Sequence, residues 1–273
     1  MKNGIRLLLI TLVATVYLTS VASAGLNDGL LIYLPFDDRS GQDASDESGN
    51  GNAAKLIEGA KWKPNDGKIG GAIELDGAGA AVEDAKGADY INGLKAFSIS
   101  VWVKSDSVGH DRGIVFGKDP AGGDDVFGFR YDAASWATPG GTNLIKGAIT
   151  TTGGGQAYEG KSDVQTTDWQ HLVFSWKSGE QLALYIDGEL DDDPIHNDDG
   201  KVGEISGATK LIIGKGAKDN NGTSWPGLID DLRIYDRALS EAEIAELASG
   251  VLAVEADGKL ATTWAYFKHR RTD

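Results

Sequence analysis

Hydrophobic and polar residues alternate along many short segments of this chain. Within residues 97–104, Phe, Ile and Val take every second position, while Ser, Trp and Lys take the positions between them. Successive side chains of a strand point to opposite faces, so this period of two predicts a strand with one face in a core. The same reasoning predicts strands at Leu30–Phe36, Ala72–Asp76, Phe97–Lys104, Gly113–Lys118, Val126–Tyr131, Leu144–Thr151, Trp169–Trp176, Leu182–Ile186, Leu211–Ile213 and Leu228–Tyr235.

One helix follows the last predicted strand. Ser240 and Glu243 form a capping box for a helix over Glu241–Ser249, and Gly250 suits its end. The strand before it alternates regularly, which would place Asp230 on one face and Asp231 on the other.

These elements indicate the fold class. Many short strands with Gly-rich and Asp-rich turns, and one convincing helix, favour an all-β, two-sheet antiparallel sandwich over a parallel α/β sheet. A hairpin is expected at Asp187-Gly188, because this dipeptide supplies the positive φ angles of a tight turn. Ligand specificity is expected in the loops between strands. These are Ser105–Arg112, Asp119–Asp125, Asp132–Thr142, Thr152–Asp168, Asp191–Glu204 and Gly214–Pro226.

The two ends of the chain differ in character from its middle. Residues 1–24 predict a secretory signal peptide, with basic Lys2 and Arg6, an apolar run and small residues before Gly25. We therefore expect a secreted or periplasmic protein, with no membrane insertion after the signal is removed. Residues 25–250 are expected to form one domain, and residues 251–273 a C-terminal tail that ends aromatic and basic.

Composition limits the partners. The formal net charge is −15, which disfavours nucleic acid and anionic membrane surfaces. The absence of cysteine from the sequence excludes a disulfide framework, a thiol nucleophile and a thiolate metal site. The many carboxylates are instead compatible with a hard divalent cation.

Four parts of the sequence, taken together, have the character of a known family. They are Leu34–Asp38 followed by Asp46–Asn52, Phe97–Val103, Trp169–Trp176 followed by Leu184–Gly188, and Ile229–Ser240. Their order and spacing resemble the laminin-G-like, concanavalin A-like jelly-roll domains. The resemblance implies a jelly-roll sandwich in a secreted bacterial protein that recognises glycans or matrix, with calcium at the sandwich rim in many relatives. It does not imply an enzyme by itself, because this fold hosts lectins, adhesion modules and hydrolases.

Calcium is the first hypothesis for a site. Asp37 ends the first strand, and Asp230 and Asp231 lie in the last. First and last strands of a jelly roll commonly adjoin, so these carboxylates and nearby carbonyls could surround a cation that takes six to eight oxygens. The alternative is that one of the last two carboxylates accepts from backbone N–H groups, or pairs with Arg233 or Arg237, without metal.

Two further acidic groups compete with that site. Asp46, Ser48 and Asn50 copy the spacing of an EF-hand loop, but its twelfth position is Ile57 instead of Glu. Turn-forming hydrogen bonds of Asp and Asn explain this segment without a metal, and we favour that interpretation. The other group is Asp191–Asp193 with Asp198 and Asp199, which an exposed loop tolerates in water.

Glycan binding is the second hypothesis. Sugar rings present apolar C–H faces, which an exposed aromatic side chain can cover while carboxylates and amides bind the hydroxyls. The alternative for each aromatic residue is that it folds over the core. The candidates are Trp136, Tyr158 and Trp225 as the aromatic surface, with Asp124 and Asn143 among the hydroxyl partners.

The sequence favours a binding function over catalysis. Glucanases of the family carry Glu-x-Asp-x-x-Glu along one strand, but here Glu74-Leu-Asp76 is followed by Gly77, Ala78 and Gly79. His171 lies in a strand with core character, which indicates a structural role. We therefore expect a non-catalytic module for an extracellular glycan. The alternatives are a module that binds a surface protein and a glycan-cleaving enzyme.

Overall fold

The computed structural model describes residues 25–118, 126–216 and 223–250. Their strands are β1 (Leu30–Leu34), β2 (Asp43–Ala44), β3 (Ala54–Ile57), β4 (Lys61–Lys63), β5 (Ala72–Asp76), β6 (Ala81–Asp84), β7 (Ala96–Ser105), β8 (Arg112–Lys118), β9 (Phe127–Ala134), β10 (Thr142–Thr151), β11 (Gly154–Glu159), β12 (Gln170–Lys177), β13 (Ala183–Ile186), β14 (Glu189–Leu190), β15 (His196–Asn197), β16 (Lys210–Ile213) and β17 (Pro226–Tyr235). The helices are α1 (Gly87–Ile91) and α2 (Glu241–Ala248).

The strands form two antiparallel sheets. Sheet A has the order β14-β13-β12-β7-β17-β5-β4, with β1 also paired to β17. Sheet B has the order β15-β11-β10-β9-β8-β16-β6-β3-β2. The structure confirms the predicted all-β, two-sheet sandwich and the pairing of its first and last strands.

The core lies between the two sheets. Phe97, Ile99, Val101 and Val103 all belong to the main buried cluster, as their alternation in β7 predicts. An aromatic group continues this layer, with Phe97 5.7 Å from Phe174 between ring centroids. The inner faces are therefore mostly apolar, and two buried glutamines on them, Gln156 and Gln170, accept hydrogen bonds from Trp176 and Tyr131.

Each predicted strand corresponds to an observed one, with small differences at its ends. The hairpin turn at Asp187-Gly188 is also confirmed, with φ of +52° and +91°. Two of the expected loops are not wholly irregular, because Thr152–Asp168 contains β11 and Asp191–Glu204 contains β15. The alternation of apolar and polar residues does not predict these strands, because β11 begins with two glycines and β15 has only two residues.

The last strand departs from its predicted alternation. Its pairing with β7 shifts register between Asp230 and Arg233, and Asp231 has a φ of +48°. This bulge inserts one residue, so Ile229, Leu232 and Ile234 all reach the core although they are not evenly spaced. The prediction that Asp230 and Asp231 lie on opposite faces of a regular strand is therefore wrong.

Helix α2 packs on part of the outer face of sheet A. Its capping box is present as predicted, with the Ser240 hydroxyl accepting from the Glu243 N–H and the Glu243 carboxylate accepting from the Ser240 N–H. Ile244 and Leu247 pack in a second apolar cluster that includes Tyr235 of the last strand. Both sheets keep open outer surface, because one cleft is lined by residues of β4, β5, β7 and β17 of sheet A and another lies on sheet B.

Several expectations concern residues outside the described ranges. The signal peptide over residues 1–24, the tail over residues 251–273 and the candidate Asp124 all belong to this group. Neither α1 nor α2 is long and apolar enough to cross a membrane.

A glycine at the core face of β10 tests the packing of the two sheets. An added Cβ at Gly147 would lie 2.1 Å from Cε2 of Phe174, whereas at Gly155 of the next strand the nearest atom would be the Ile149 carbonyl oxygen at 3.9 Å. We expect Gly147→Ala to lower the free energy of unfolding by about 1–3 kcal/mol through overpacking. Gly155→Ala is the matched control, and urea denaturation of both variants makes the measurement. Equal stability of the two variants would contradict this packing.

Candidate functional site

A cleft of about 280 Å³ lies on the outer face of sheet B. Its floor follows one row of the sheet, in which Gly128, Ala148 and Ala157 stand opposite one another on β9, β10 and β11. These residues have little or no side chain, so the row forms a trough across the strands. Phe116, Arg130, Trp136, Lys146 and Thr150 complete most of its lining.

A buried charge network borders this trough. Lys146 Nζ lies 2.6 Å from Glu159 Oε1 and 3.2 Å from Asp132 Oδ2, and it donates to the Ala134 carbonyl oxygen at 3.0 Å. Arg130 Nη2 contacts the same Asp132 oxygen at 2.9 Å. The Glu159 side chain has no exposed surface, so its charge is stabilised by these partners and not by water.

Glu159 also organises the loop after β9. Its Oε1 accepts from the backbone N–H of Trp136 at 3.2 Å, and its Oε2 accepts from the N–H of Ala137 at 3.3 Å and from the hydroxyl of Ser135. Burial alone would raise the pKa of Glu159, but Lys146 and these donors outweigh it and hold the pKa below its ordinary value. The loop is therefore fixed by a carboxylate that stays ionised.

Trp136 is presented to solvent by this loop. Its side chain is 59 % exposed, and its ring meets that of His196 edge to face at 4.4 Å between centroids. Of the three predicted aromatic candidates, this residue alone combines a position at the cleft with an exposed ring. An exposed indole on a rigid loop can take up the apolar face of a ligand.

The structure does not support the other two aromatic candidates, because both are buried. Trp225 is 0 % exposed and packs on Tyr131 at 5.0 Å between ring centroids. Tyr158 is 2 % exposed, and its hydroxyl donates to the Asp191 carbonyl oxygen at 3.0 Å. Both rings face the core, so neither is an exposed surface for a sugar. Asn143 donates to Asp163 Oδ1 at 2.8 Å and does not line the cleft.

Sequence reasoning missed several residues of the cleft. Lys146, Ala148 and Thr150 are alternate residues of the predicted strand Leu144–Thr151, so their common outward face could have been found from the period of two. No comparable signal marks Glu159 or His196, because they belong to segments that the pattern assigns to loops.

The predicted calcium ligands are only partly brought together. Asp37 Oδ1 accepts from the Gly71 N–H at 2.6 Å, and Asp230 Oδ2 accepts from the Ile69 N–H at 2.8 Å, so both carboxylates meet one short loop. Asp230 is buried, and its Oδ1 has no hydrogen-bond partner. Burial, with the negative charges of Asp231 and Asp37, raises the pKa of Asp230 to about 8.

Asp231 is not available as the third ligand. Its Oδ1 accepts from Arg233 Nε at 3.2 Å and Nη2 at 3.1 Å, and the guanidinium carbon of Arg233 lies 4.0 Å from the Tyr33 ring centroid. The alternative of an ion pair with Arg233 therefore holds for Asp231. Within residues 25–118, 126–216 and 223–250, no group of three Asp, Glu, His or Cys side chains is arranged to hold a metal ion.

Asp46 and Asn50, the alternative candidates for metal ligands, form hydrogen bonds with the backbone instead. Asp46 accepts from the backbone N–H groups of Tyr33, Ser48 and Asn52, at 2.8–3.0 Å. These donors outweigh the effect of burial and lower the pKa of Asp46. Asn50 donates through Nδ2 to the carbonyl oxygen of Leu30 at 2.8 Å. This pattern agrees with the turn-forming alternative to an EF-hand loop.

Glu74 and Asp76, which we compared with the glucanase motif, lie in strand β5 of sheet A. Glu74 pairs with Lys63 at 2.9 Å, and Asp76 Oδ1 accepts from the Ala78 N–H at 2.8 Å. His171 is buried and its Nε2 lies 2.9 Å from the Ser100 hydroxyl, while burial, aided by Arg233, lowers its pKa to about 3. His171 is thus the packed, hydrogen-bonded residue that the sequence indicates.

Comparison with known proteins identifies the family of this chain. The family model described as the concanavalin A-like lectin/glucanases superfamily matches residues 76–245. The chain belongs to this superfamily. This agrees with the resemblance found in its sequence and with the two-sheet fold.

The individual proteins similar to this chain either match only part of its length or have low sequence identity to it. The rat Sushi, von Willebrand factor type A, EGF and pentraxin domain-containing protein 1 is 36 % identical over 87 residues, which are 30 % of this chain and 2 % of that protein. Domain 4 of AbnA, a GH43 extracellular arabinanase from Geobacillus stearothermophilus, was solved in complex with arabinotriose. It is 23 % identical with a TM-score of 0.59, over 80 % of this chain and 98 % of that one. The binding domain of Botulinum Neurotoxin DC in complex with SialylT is 14 % identical with a TM-score of 0.57, over 82 % and 52 %. These structures share the fold.

Removal of the Glu159 charge tests whether it holds the Trp136 loop. We expect Glu159→Gln to lower the free energy of unfolding at pH 7 by about 3 kcal/mol, because a buried ion pair loses one partner. The folded-state pKa of Glu159 is depressed, so its stabilising effect is complete above the ordinary carboxyl pKa and is lost as the pH falls through the folded value. Denaturant unfolding across that range should show a shallower acid dependence in the variant.

The control for this prediction is Glu180→Gln, which makes the same chemical change in an exposed pair with Lys177. We expect a change of at most about 1 kcal/mol in the control. If both variants lost equal stability, the buried pair would not be what fixes the loop.

Proposed function

We propose that this protein is a non-catalytic carbohydrate-binding module whose ligand lies in the cleft of sheet B against Trp136. The observation that carries the proposal is the exposed indole of Trp136, held at the edge of a cleft by the buried carboxylate of Glu159. The proposal includes export from the cytoplasm, which rests on the signal-peptide pattern of residues 1–24.

The chemistry of the cleft suits a sugar. A pyranose or furanose ring can lay its C–H face on the indole, while its hydroxyls need both donors and acceptors nearby. Arg130 has N–H donors besides those that meet Asp132, and Thr150 offers a hydroxyl in the lining. Asp198 stands beside the floor residue Ala157, whose N–H it accepts at 2.8 Å, and adds a carboxylate acceptor.

The comparisons support a carbohydrate ligand in general terms. Domain 4 of AbnA was solved with arabinotriose, and the Botulinum Neurotoxin DC binding domain with SialylT. At these identities the likeness establishes the fold, so the ligand of this chain is inferred from its own cleft.

Loss of the indole is the direct test of the proposal. We expect Trp136→Ala to weaken binding of oligosaccharides from a glycan array by about tenfold or more, because burial and stacking of an aromatic side chain contribute on the order of 1–3 kcal/mol. Trp136→Phe should retain part of the affinity. Isothermal titration calorimetry with the tightest array ligand makes the measurement.

Val202→Ala is the matched control, since Val202 is another exposed apolar residue, outside the cleft lining. Unchanged affinity in Trp136→Ala, with an intact fold, would refute a site at this residue. A protein that binds no glycan at all would instead favour the alternative of protein adhesion.

We also propose that Asp37 and Asp230 bind calcium as a structural ion. The two carboxylates meet the loop of residues 67–71, and the buried Oδ1 of Asp230 lacks a hydrogen-bond partner. An added Cβ at Gly70 would lie 2.4 Å from Asp37 Oδ1, and one at Gly67 would lie 2.9 Å from Asp230 Oδ2, so only glycine lets this loop approach the two carboxylates so closely. With two side chains available, backbone carbonyls and water would supply the remaining oxygens.

A thermal shift tests the calcium proposal independently of sugar binding. At a free calcium concentration of about 100 times Kd, we expect a stabilisation of about 2.7 kcal/mol relative to chelator. Asp230→Asn and Asp37→Asn should abolish this shift, whereas Asp43→Asn, on the exposed edge strand β2, should keep it. Coincident melting curves of the wild-type protein with calcium and with chelator would overturn the proposal.

A further inference from the structure

We infer that the cleft selects neutral oligosaccharide chains and discriminates against acidic ones. This inference rests on the proposed function, because it concerns the ligand of the same cleft. It follows from how the charged groups around the trough are already paired.

Lys146 has no ammonium donor to offer an acidic sugar. Its three N–H bonds match its three contacts, with Glu159 at 2.6 Å, Asp132 at 3.2 Å and the Ala134 carbonyl oxygen at 3.0 Å. Its charge is balanced by two carboxylates, one of them fully buried. A lysine in a cleft is often an anion site, but this one serves the protein's own carboxylates.

Arg130 is balanced in the same way. Its Nε and Nη2 both meet Asp132 Oδ2, at 3.0 and 2.9 Å. The remaining guanidinium N–H groups can donate to a sugar hydroxyl, but the two cations Arg130 and Lys146 and the two carboxylates Asp132 and Glu159 together have no net charge. Arg130 therefore provides hydrogen bonds without the attraction that a carboxylate or sulfate ligand needs.

A further carboxylate marks one end of the trough. Asp198 follows β15, its N–H donates to the Ala157 carbonyl oxygen at 3.1 Å, and its Oδ2 accepts from the Ala157 N–H. Its other oxygen lies 3.0 Å from Nε2 of His196, and the side chain is 39 % exposed. Lys146 and Arg130 are already balanced by Asp132 and Glu159, so Asp198 adds a partly exposed carboxylate beside the floor of the trough.

This arrangement favours neutral sugars by repulsion of acidic ones. Stacking on Trp136 does not distinguish a neutral ring from its uronic acid, because both present similar C–H faces. A hydroxyl can donate to Asp198, whereas a ligand carboxylate beside it meets a like charge in a partly desolvated cleft. Discrimination therefore comes from an unfavourable contact with the wrong ligand.

The shape of the floor favours a chain of linked rings over a single sugar. Adjacent strands lie about 4.8 Å apart, so the row from Gly128 through Ala148 to Ala157 spans roughly 10 Å without a bulky side chain. This row runs from the Phe116 side of the sheet to Asp198. A linear oligosaccharide laid across the strands would cover it and reach Trp136.

The test compares matched trisaccharides whose rings differ at C6, where the neutral sugar has a hydroxymethyl group and the uronic acid a carboxylate. We would measure binding of galactotriose and trigalacturonate, and of further neutral and uronic pairs, by calorimetry at low ionic strength. We expect the neutral member to bind about tenfold more tightly, with a difference that shrinks as salt is added. Equal or tighter binding of the acidic members would overturn this inference while leaving carbohydrate binding intact. Binding of neither class would overturn both proposals.

A charge-removing variant identifies the residue responsible. Asp198→Asn should reduce the preference for the neutral chain by about threefold, the amount expected for a partly exposed charge. Asp43→Asn makes the same change on β2 at the opposite edge of sheet B and should leave the preference unchanged. If both variants kept the wild-type preference, Asp198 would not be the source of discrimination.

Discussion

Burial of apolar side chains between two sheets is the constraint on which the rest of this structure depends. It fixes which face of every strand points inward, and polar groups are left to the outer faces and the loops. On sheet A the outer face is covered in part by α2, whose Ile244 and Leu247 pack there. On sheet B the outer face keeps a trough lined by Gly128, Ala148 and Ala157. The candidate cleft thus lies on an outer face, where the packing of the core does not dictate the side chains.

The trough acquires its chemistry from a charge pair that is costly to bury. Lys146 and Glu159 are isolated from water and therefore need each other and their further partners. Those partners include the backbone of the Trp136 loop, so one interaction both neutralises the cleft and orients its aromatic residue. A hydrophobic pair of similar volume could stabilise the sheet equally well, but it could not hold backbone N–H groups in this way. The buried pair is better understood as a device for positioning than as a source of stability.

Most of the fold could be predicted from the sequence, because strands with one buried face leave a period of two. β7 shows this best, since all four of its predicted core residues are in the core. The prediction fails where the backbone departs from a regular strand, as at the bulge of Asp231, because aspartate tolerates a positive φ but does not by itself predict one. It also fails for β15, where two residues are too few to show a period. The candidate site was found in part through Trp136, whereas Glu159 depends on a tertiary contact that no local pattern records.

Trp136 and Trp225 show why an aromatic residue in a polar loop is an ambiguous signal. Trp225 continues the ladder before β17, with its N–H bonded to the Gly214 carbonyl oxygen and its own carbonyl accepting from Gly77. A residue held by neighbouring strands must point to one face of a sheet, and here that face is the core, against Tyr131. The N–H of Trp136 is bonded to the Glu159 side chain instead, which frees its ring from the alternation of the sheet. Backbone hydrogen bonding, and not the polarity of the surrounding sequence, therefore decides which tryptophan can meet a ligand.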